Sequence, residues 1–154
     1  MRLERSHILM LKLSKKADYA LIAVRHLATH DTLRSYSASD IAEVYGISAT
    51  LLAKILQRLA RHGVVTARHG SNGGYQLARH PREISALEVI SAVDGPLMIT
   101  SCITSHGNCD QSAKCTVREP LRRVNDSIVQ VLRTVTISQM SEESPEGELV
   151  GLSK

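Results

Sequence analysis

Three cysteines, the residues most able to do chemistry in this chain, lie within 14 positions: Cys102, Cys109 and Cys115. Their odd number, in a chain that opens without a secretory signal, argues against a disulfide framework. Thiolates are soft ligands that suit iron–sulfur clusters, and these spacings are longer than the paired C-x2–4-C knuckles of structural zinc sites. The residues alone leave three interpretations open: an iron–sulfur cluster, a zinc site, or thiols that are inert or redox-active.

A fourth ligand is needed if these cysteines bind a cluster, because such clusters normally have four protein ligands. His106 and Asp110 lie in the same segment, beside Gly107. Taken by itself, His106 is better interpreted as an exposed loop histidine. A ligand other than cysteine would favour a labile, sensing cluster over a durable electron carrier.

Three helices are predicted ahead of the cysteines, each beginning near a serine that can cap it. They span about residues 14–30, 37–45 and 48–63. Only three residues, 46–48, join the second helix to the third, which is the spacing of a helix–turn–helix. The segments VVTARHG and YQLAR, around GSNGG, then predict a two-stranded hairpin. The order of elements predicts a winged helix–turn–helix, mainly α-helical with a small β-wing.

The third predicted helix has two different sides. One side carries the apolar stripe expected in the core: Leu52, Ile55, Leu56 and Leu59. The other presents donors and acceptors able to reach bases and phosphates in a DNA major groove: Thr50, Lys54, Gln57, Arg58 and Arg61. Further phosphate or minor-groove contacts are expected from Ser48 at the helix start, Arg68 and His69 at the wing tip, and Lys15 and Lys16 on the first helix. The alternative is that these polar side chains form an ordinary solvated surface.

Two more helices are predicted after the hairpin. Ser85 and Glu88 match a capping box that opens a short helix ending near Val93. From Val117 to about Val135, a long helix carries a heptad-like seam of Leu121, Val124, Ile128, Val131 and Val135. This seam favours pairing of two copies of the chain, the alternative being packing on its own domain. The resulting division is an N-terminal extension or misassigned start (1–9), a DNA-binding domain (10–95), a cysteine loop (96–116), a dimerisation helix (117–140) and a flexible tail (141–154).

Composition narrows the class of protein. The chain has 154 residues, is 43% hydrophobic and only 3% aromatic, and has no apolar run long enough to cross a membrane. Residues 1–80 have 12 lysines and arginines against five acidic residues, whereas residues 81–154 have seven against ten. A basic half beside an acidic half suits a nucleic-acid-binding part with a separate regulatory part. No Ser/His/Asp or paired-carboxylate arrangement stands out, so we expect a cytoplasmic protein without enzymatic activity or a small-molecule substrate.

Several motifs together resemble the iron–sulfur transcriptional regulators typified by IscR and NsrR. They are LKLSKKADYAL, YGIS, RLARHGVV, HGSNGGYQLAR, ISALEVISAVDGP and the three cysteines, and they cover about residues 10–140. Within this family, DGPLMITSC and KCTVREPLRRVNDSIVQVLRTVTISQM are most similar to regulators of the SUF cluster-assembly operon. The resemblance implies a homodimeric repressor that binds promoter DNA and carries an iron–sulfur cluster, with [2Fe–2S] favoured over [4Fe–4S].

The chain departs from one branch of this family at the fourth ligand. IscR-type members have a histidine three residues after the last cysteine, where this chain has Arg118. In the nitric-oxide-sensing NsrR type, an aspartate from the first helix of the other subunit takes this role, and Asp18 stands at the matching place. The resemblance therefore implies Asp18 as the fourth ligand, although an aspartate there also suits the helix dipole. A nitric-oxide-sensing repressor and a zinc-stabilised DNA-binding protein without cluster sensing are the alternatives.

Overall fold

The computed structural model describes residues 12–100 and 114–142. The elements in chain order are α1 (Lys15–Thr29), α2 (Ala38–Tyr45), α3 (Ala49–Arg61), β1 (Val65–Arg68), β2 (Gly74–Leu77), a 3₁₀ turn (Pro81–Glu83), α4 (Ala86–Asp94), α5 (Arg118–Thr134) and α6 (Ile137–Ser141). The chain is mainly helical with one small antiparallel hairpin, as predicted. We call the body formed by α1 to α4 and the hairpin the head.

Serine caps begin the helices of the head where the sequence predicts them. The Ser14 hydroxyl accepts a hydrogen bond from the Ala17 N–H, and Ser48 does the same for Leu51. Ser85 and Glu88 form the predicted capping box of α4. Each cap satisfies backbone donors that a helix start leaves free, so the local sequence sets these boundaries.

The core of the head is built from small and aliphatic side chains. Ala17, Ala20 and Ala23 of α1 are fully buried, so other helices pack closely against its backbone. Larger buried side chains come from α2, α3, the hairpin and α4: Ile41, Leu52, Ile55, Leu56, Leu59, Val64, Val65, Ile84, Val89 and Ile90. The predicted apolar stripe of α3 therefore lies inside.

The hairpin is pinned to the chain segment that precedes α2. Val65 pairs with Leu77 and Arg68 with Gly74, while the Tyr75 and Tyr36 backbones exchange two hydrogen bonds. Gly74 has a φ of +150°, and a Cβ there would lie 2.5 Å from the Tyr36 backbone. A glycine is required at this position because the two backbones meet so closely.

The long helix is confirmed as Arg118–Thr134, but α6 and the 3₁₀ turn were not predicted. After α5 the chain turns back to the head, where Ala86 N–H donates to the Val135 carbonyl and Ile137 N–H to the Ile84 carbonyl. Ile137 is fully buried in the core of the head. Five residues with one buried side chain give no helical periodicity, which is why the sequence did not predict α6.

The predicted seam of α5 is partly uncovered in a single chain. Val124 and Val131 are 49% and 60% exposed, whereas Leu121, Ile128 and Val135 are half-buried. Val117, the residue just before α5, is 54% exposed. No helix within the described ranges has the length and apolar character that crossing a membrane requires.

Candidate functional site

The turn between α2 and α3 presents one side of α3 to solvent. Gly46 adopts a left-handed conformation with a φ of 65°, and the next N–H, that of Ile47, donates to the Ala42 carbonyl. This sharp turn directs the apolar stripe inward. All five residues of the predicted outer side are exposed: Thr50, Lys54, Gln57, Arg58 and Arg61.

Three cations from two helices line one small cleft. Lys16 of α1 meets Lys54 and Arg58 of α3 around a cavity of about 100 Å³, whose other walls include Leu51 and Val93. None of the three forms an ion pair with a described carboxylate. Unpaired cations converging in this way attract an anion such as a backbone phosphate.

Arg58 has a second partner inside the protein. Its Nη1 donates a 2.8 Å hydrogen bond to the Val93 carbonyl at the end of α4. The side chain is therefore oriented by its own chain while remaining exposed, a contact that the helix pattern alone does not predict. Its remaining N–H groups are available to a ligand because a guanidinium has five donors.

The N-terminus of α3 and the start of α1 lie beside this basic surface. Ser48 is exposed, and its hydroxyl is occupied as the cap of α3. A phosphate near Ser48 would therefore be bound by the backbone N–H groups of the first turn of α3 and not by the serine hydroxyl. Lys15 is exposed in the first turn of α1, next to Lys16.

The wing is braced by side chains as well as by its strands. Arg68 Nε donates to Gln76 Oε1 at 3.0 Å, and Gln76 Nε2 donates to the Leu33 carbonyl at 2.8 Å. Arg68 and His69 are both exposed. A cation held on a braced hairpin can contact DNA with little loss of side-chain entropy.

Of the predicted metal ligands, Cys115 and Asp18 lie within the described residues. Cys115 is half-buried, has a free thiol and stands three residues before α5. Asp18 is half-buried in the first turn of α1, and its carboxylate has no hydrogen bond or ion pair to a described residue. Cys102, Cys109, His106 and Asp110 lie outside the described residues. Three thiols and a carboxylate are a donor set that fits a metal with sulfur and oxygen ligands.

Within residues 12–100 and 114–142, no group of three or more histidine, cysteine or acidic side chains comes together as a metal site. Among the described residues, two histidines come together at the end of α1. His26 stacks on His30 with ring centroids 3.8 Å apart, and its Nδ1 lies 3.0 Å from the Tyr45 hydroxyl. Burial, and secondly the charge of His30, lowers the pKa of His26. The four-residue spacing of the two histidines, which places them on one face of a helix, is the sequence signal for this pair.

Comparison with known proteins decides the family. Residues 13–143 match the family model of Rrf2, described as an iron-dependent transcriptional regulator. The chain belongs to the Rrf2 family. The HTH-type transcriptional regulator IscR of Escherichia coli is 31% identical over 130 residues, which cover 84% of this chain and 80% of that protein.

Solved structures of similar regulators agree with this family assignment. CymR, the global cysteine regulator of B. subtilis, matches with a TM-score of 0.70 at 26% identity, over 88% of this chain and 100% of that one. IscR of T. potens matches with a TM-score of 0.68 at 29% identity, over 89% of this chain and 94% of that one. This Rrf2 protein is a DNA-binding transcriptional regulator and not an enzyme, as the sequence predicted.

Proposed function

We propose that this Rrf2 protein is a homodimeric repressor that contacts promoter DNA through α3, the wing and the start of α1. The observation that carries the proposal is the convergence of Lys16, Lys54 and Arg58 on one cleft, without an ion pair to any described carboxylate. Lys54 and Arg58 lie on the exposed side of the second helix of a helix–turn–helix, the element that enters the major groove in this motif, and Lys16 joins them from the start of α1. Lys15, Ser48, Thr50, Gln57, Arg68 and His69 complete the proposed interface.

The dimer is supported by the uncovered side of α5. Val117, Val124 and Val131 recur every seven residues and are about half exposed or more. Together with Leu121 and Ile128 they make the a and d pattern of a paired helix. A second copy crossing here would cover a stripe that the single chain leaves in water.

We assign Cys102, Cys109, Cys115 and, from a second copy, Asp18 as the ligands of an iron–sulfur cluster, with [2Fe–2S] favoured. The free thiol of Cys115 and the unpaired carboxylate of Asp18 fit this donor set. Arg118 occupies the place of the histidine ligand of IscR-type regulators, which leaves the fourth position to another residue. When bound, the cluster supplies a centre whose state depends on iron and on oxidation.

We propose that regulation of DNA binding depends on the distance between the two heads of the dimer. A dimeric helix–turn–helix binds half-sites about one DNA turn apart, so a change in head separation alters affinity. If the cluster biases that separation, DNA must bias the cluster by the same factor. The resemblance of the segments around the cysteines to SUF regulators makes iron–sulfur assembly genes the proposed target.

The test compares metal-loaded and metal-stripped protein on DNA. The protein is purified anaerobically, its iron, sulfide and zinc are measured, and binding is titrated by fluorescence anisotropy. The probes are a duplex from the promoter of an iron–sulfur assembly operon of the same genome and a scrambled duplex. We expect iron and sulfide in equal amounts, visible thiolate-to-iron absorption, and an affinity for the promoter duplex that changes when the iron is removed.

The remaining outcomes separate the alternatives. If the purified protein contains zinc and no sulfide, the cysteines form a structural zinc site and not an iron–sulfur cluster. A response of the loaded protein to nitric oxide, but not to oxygen or iron depletion, would favour the NsrR-like repressor. Equal promoter affinity of the loaded and stripped forms would overturn the sensing proposal and leave a plain DNA-binding regulator.

A further inference from the structure

Asn125 is the one residue of α5 that is buried. Its exposed fraction is 4%, whereas Val124 beside it is 49% exposed. Burying an amide is costly unless its polar atoms are hydrogen-bonded, and a leucine would pack there without that cost. The polar contact that Asn125 makes therefore explains an amide at this position.

That contact holds the chain that leads to the cysteines. Asn125 Oδ1 accepts a 3.0 Å hydrogen bond from the Ile99 N–H, three residues before Cys102. Leu121 and Ile128, one turn to either side of Asn125, are half-buried. On the helix surface they lie between Asn125 and the exposed valines, so Asn125 is the polar anchor at the covered edge of the seam.

The other end of the same segment is held by the head. The Val93 carbonyl accepts from Arg58, and the Asp94 carboxylate accepts a 2.6 Å hydrogen bond from the Ser14 hydroxyl. Residues 93–99 therefore have polar contacts to α3, to the start of α1 and to α5. Of these three contacts, the one with Asn125 lies nearest to Cys102 along the chain.

We propose that Asn125 is a positioning residue for the metal-ligating segment: its amide fixes to α5 the backbone at Ile99, three residues before Cys102 in the sequence. The effect on metal binding rests on the proposed function, whereas the contact itself does not. The structure assigns this role to the oxygen atom of the side chain, because the oxygen accepts the Ile99 N–H.

The experiment uses three variants of the full-length protein. Asn125→Leu removes the acceptor and keeps the branching of the side chain, Asn125→Asp keeps an acceptor oxygen, and Gln130→Ala changes an exposed amide of the same helix as a matched control. Amide hydrogen exchange at Ile99 is measured by NMR in the metal-free proteins. The rate of iron loss to a chelator is measured after anaerobic reconstitution, with thermal melting followed in parallel.

We expect Asn125→Leu to speed exchange at Ile99 by about fivefold to tenfold, the value of one ordinary hydrogen bond. Iron loss should accelerate by a similar factor, with Asn125→Asp and Gln130→Ala close to wild type in both measurements. Unchanged exchange at Ile99 in Asn125→Leu would overturn the contact. Faster exchange with unchanged iron retention would overturn the positioning role, as would equal losses in all three variants.

Failure of the proposed function has a different signature. A wild-type protein that binds no iron after reconstitution contradicts the cluster ligands, and with them a role for Asn125 in holding metal. The exchange rates of Ile99 in the metal-free variants then still decide whether Asn125 anchors the segment.

Discussion

The head and α5 bury their apolar side chains in opposite ways. In the head, Leu52, Leu56 and Leu59 of α3 are completely covered by the same chain. On α5, Val124 and Val131 are about half exposed or more, as is Val117 just before the helix, and the one buried residue of α5 is an asparagine. The described residues of the head cover its apolar side chains, whereas those of α5 leave an apolar stripe exposed.

Because of this contrast, we expect the stability of the fold to depend on the head and assembly to depend on the exposed side of α5. The two parts are joined by backbone hydrogen bonds between the end of α5 and the start of α4, at Ala86 and Ile137. If α5 pairs as proposed, these backbone hydrogen bonds connect a change in its pairing directly to the head. Substitutions in the two regions should therefore impair different properties, namely stability for the head and assembly for α5.

The largest expected effect is on the stability of the head. Leu56→Ala removes a fully buried side chain from the core, so we expect the free energy of unfolding to fall by about 2–5 kcal/mol. Urea denaturation followed by circular dichroism measures this loss. Val124→Ala, the matched substitution on the exposed stripe, should cost much less at concentrations where the chain is monomeric. Equal losses for both would remove the distinction between the two regions.

The next effect concerns assembly. Val131→Glu places a charge in the proposed seam, and we expect the dissociation constant of the dimer to rise by about a hundredfold, or about 2.7 kcal/mol. Sedimentation equilibrium over a range of concentrations measures it. Gln130→Glu adds the same charge one residue away, outside the a and d positions, and should leave the dimer intact. A dimer that tolerates Val131→Glu would show that α5 is not the pairing surface.

The features predicted from the sequence are those encoded by neighbouring residues. The caps at Ser14, Ser48 and Ser85 and the apolar stripe of α3 follow from residue types three or four positions apart. Local hydrogen bonds and one-sided hydrophobicity determine these features without reference to distant residues. The helix–turn–helix and the hairpin are confirmed for this reason.

The features that were missed depend on residues far apart in the chain. The Arg58 contact spans 35 residues, the Asn125 contact 26, and the Arg25 hydrogen bond to the Met140 carbonyl of α6 115. Such long-range pairs cannot be recognised from sequence periodicity, because each partner residue type is also common at exposed positions. For the metal ligands, residue types and spacing indicate the chemistry, while the assignment of Asp18 stays a prediction.

A smaller effect is expected on the salt dependence of DNA binding by the head. Lys54→Ala removes an exposed cation from the cleft shared with Lys16 and Arg58, so the slope of log affinity against log salt should decrease by about 0.9. Anisotropy titrations of the promoter duplex over a series of salt concentrations measure it. Arg133→Ala removes one positive charge from the exposed surface of α5 and should leave the slope unchanged. Equal slopes for wild type and Lys54→Ala would exclude Lys54 from the interface.

The smallest effect is a pH dependence confined to the head. His26 of α1 is 3% exposed, and its ring stacks on His30, the residue that follows α1, and lies beside the Tyr45 hydroxyl of α2. Tyr36 packs edge-on against the His26 ring, and Arg34 lies over the Tyr36 ring. Burial, then the charge of His30, holds the pKa of His26 below its ordinary value of 6.5. Below about pH 6.5 the unfolded chain therefore binds a proton that the folded chain resists.

Because of this difference in proton uptake, the stabilisation from neutral His26 is complete above about pH 6.5 and declines as the pH falls through the lowered pKa of the folded state. Urea denaturation between pH 5 and 8 should show this decline in the wild type and a flatter profile in His26→Phe, which keeps an aromatic ring but does not titrate. His69→Gln removes an exposed histidine and should retain the wild-type profile. If His26→Phe retains the same decline, the pH dependence arises elsewhere, and the buried histidine is only a packing element between α1 and α2.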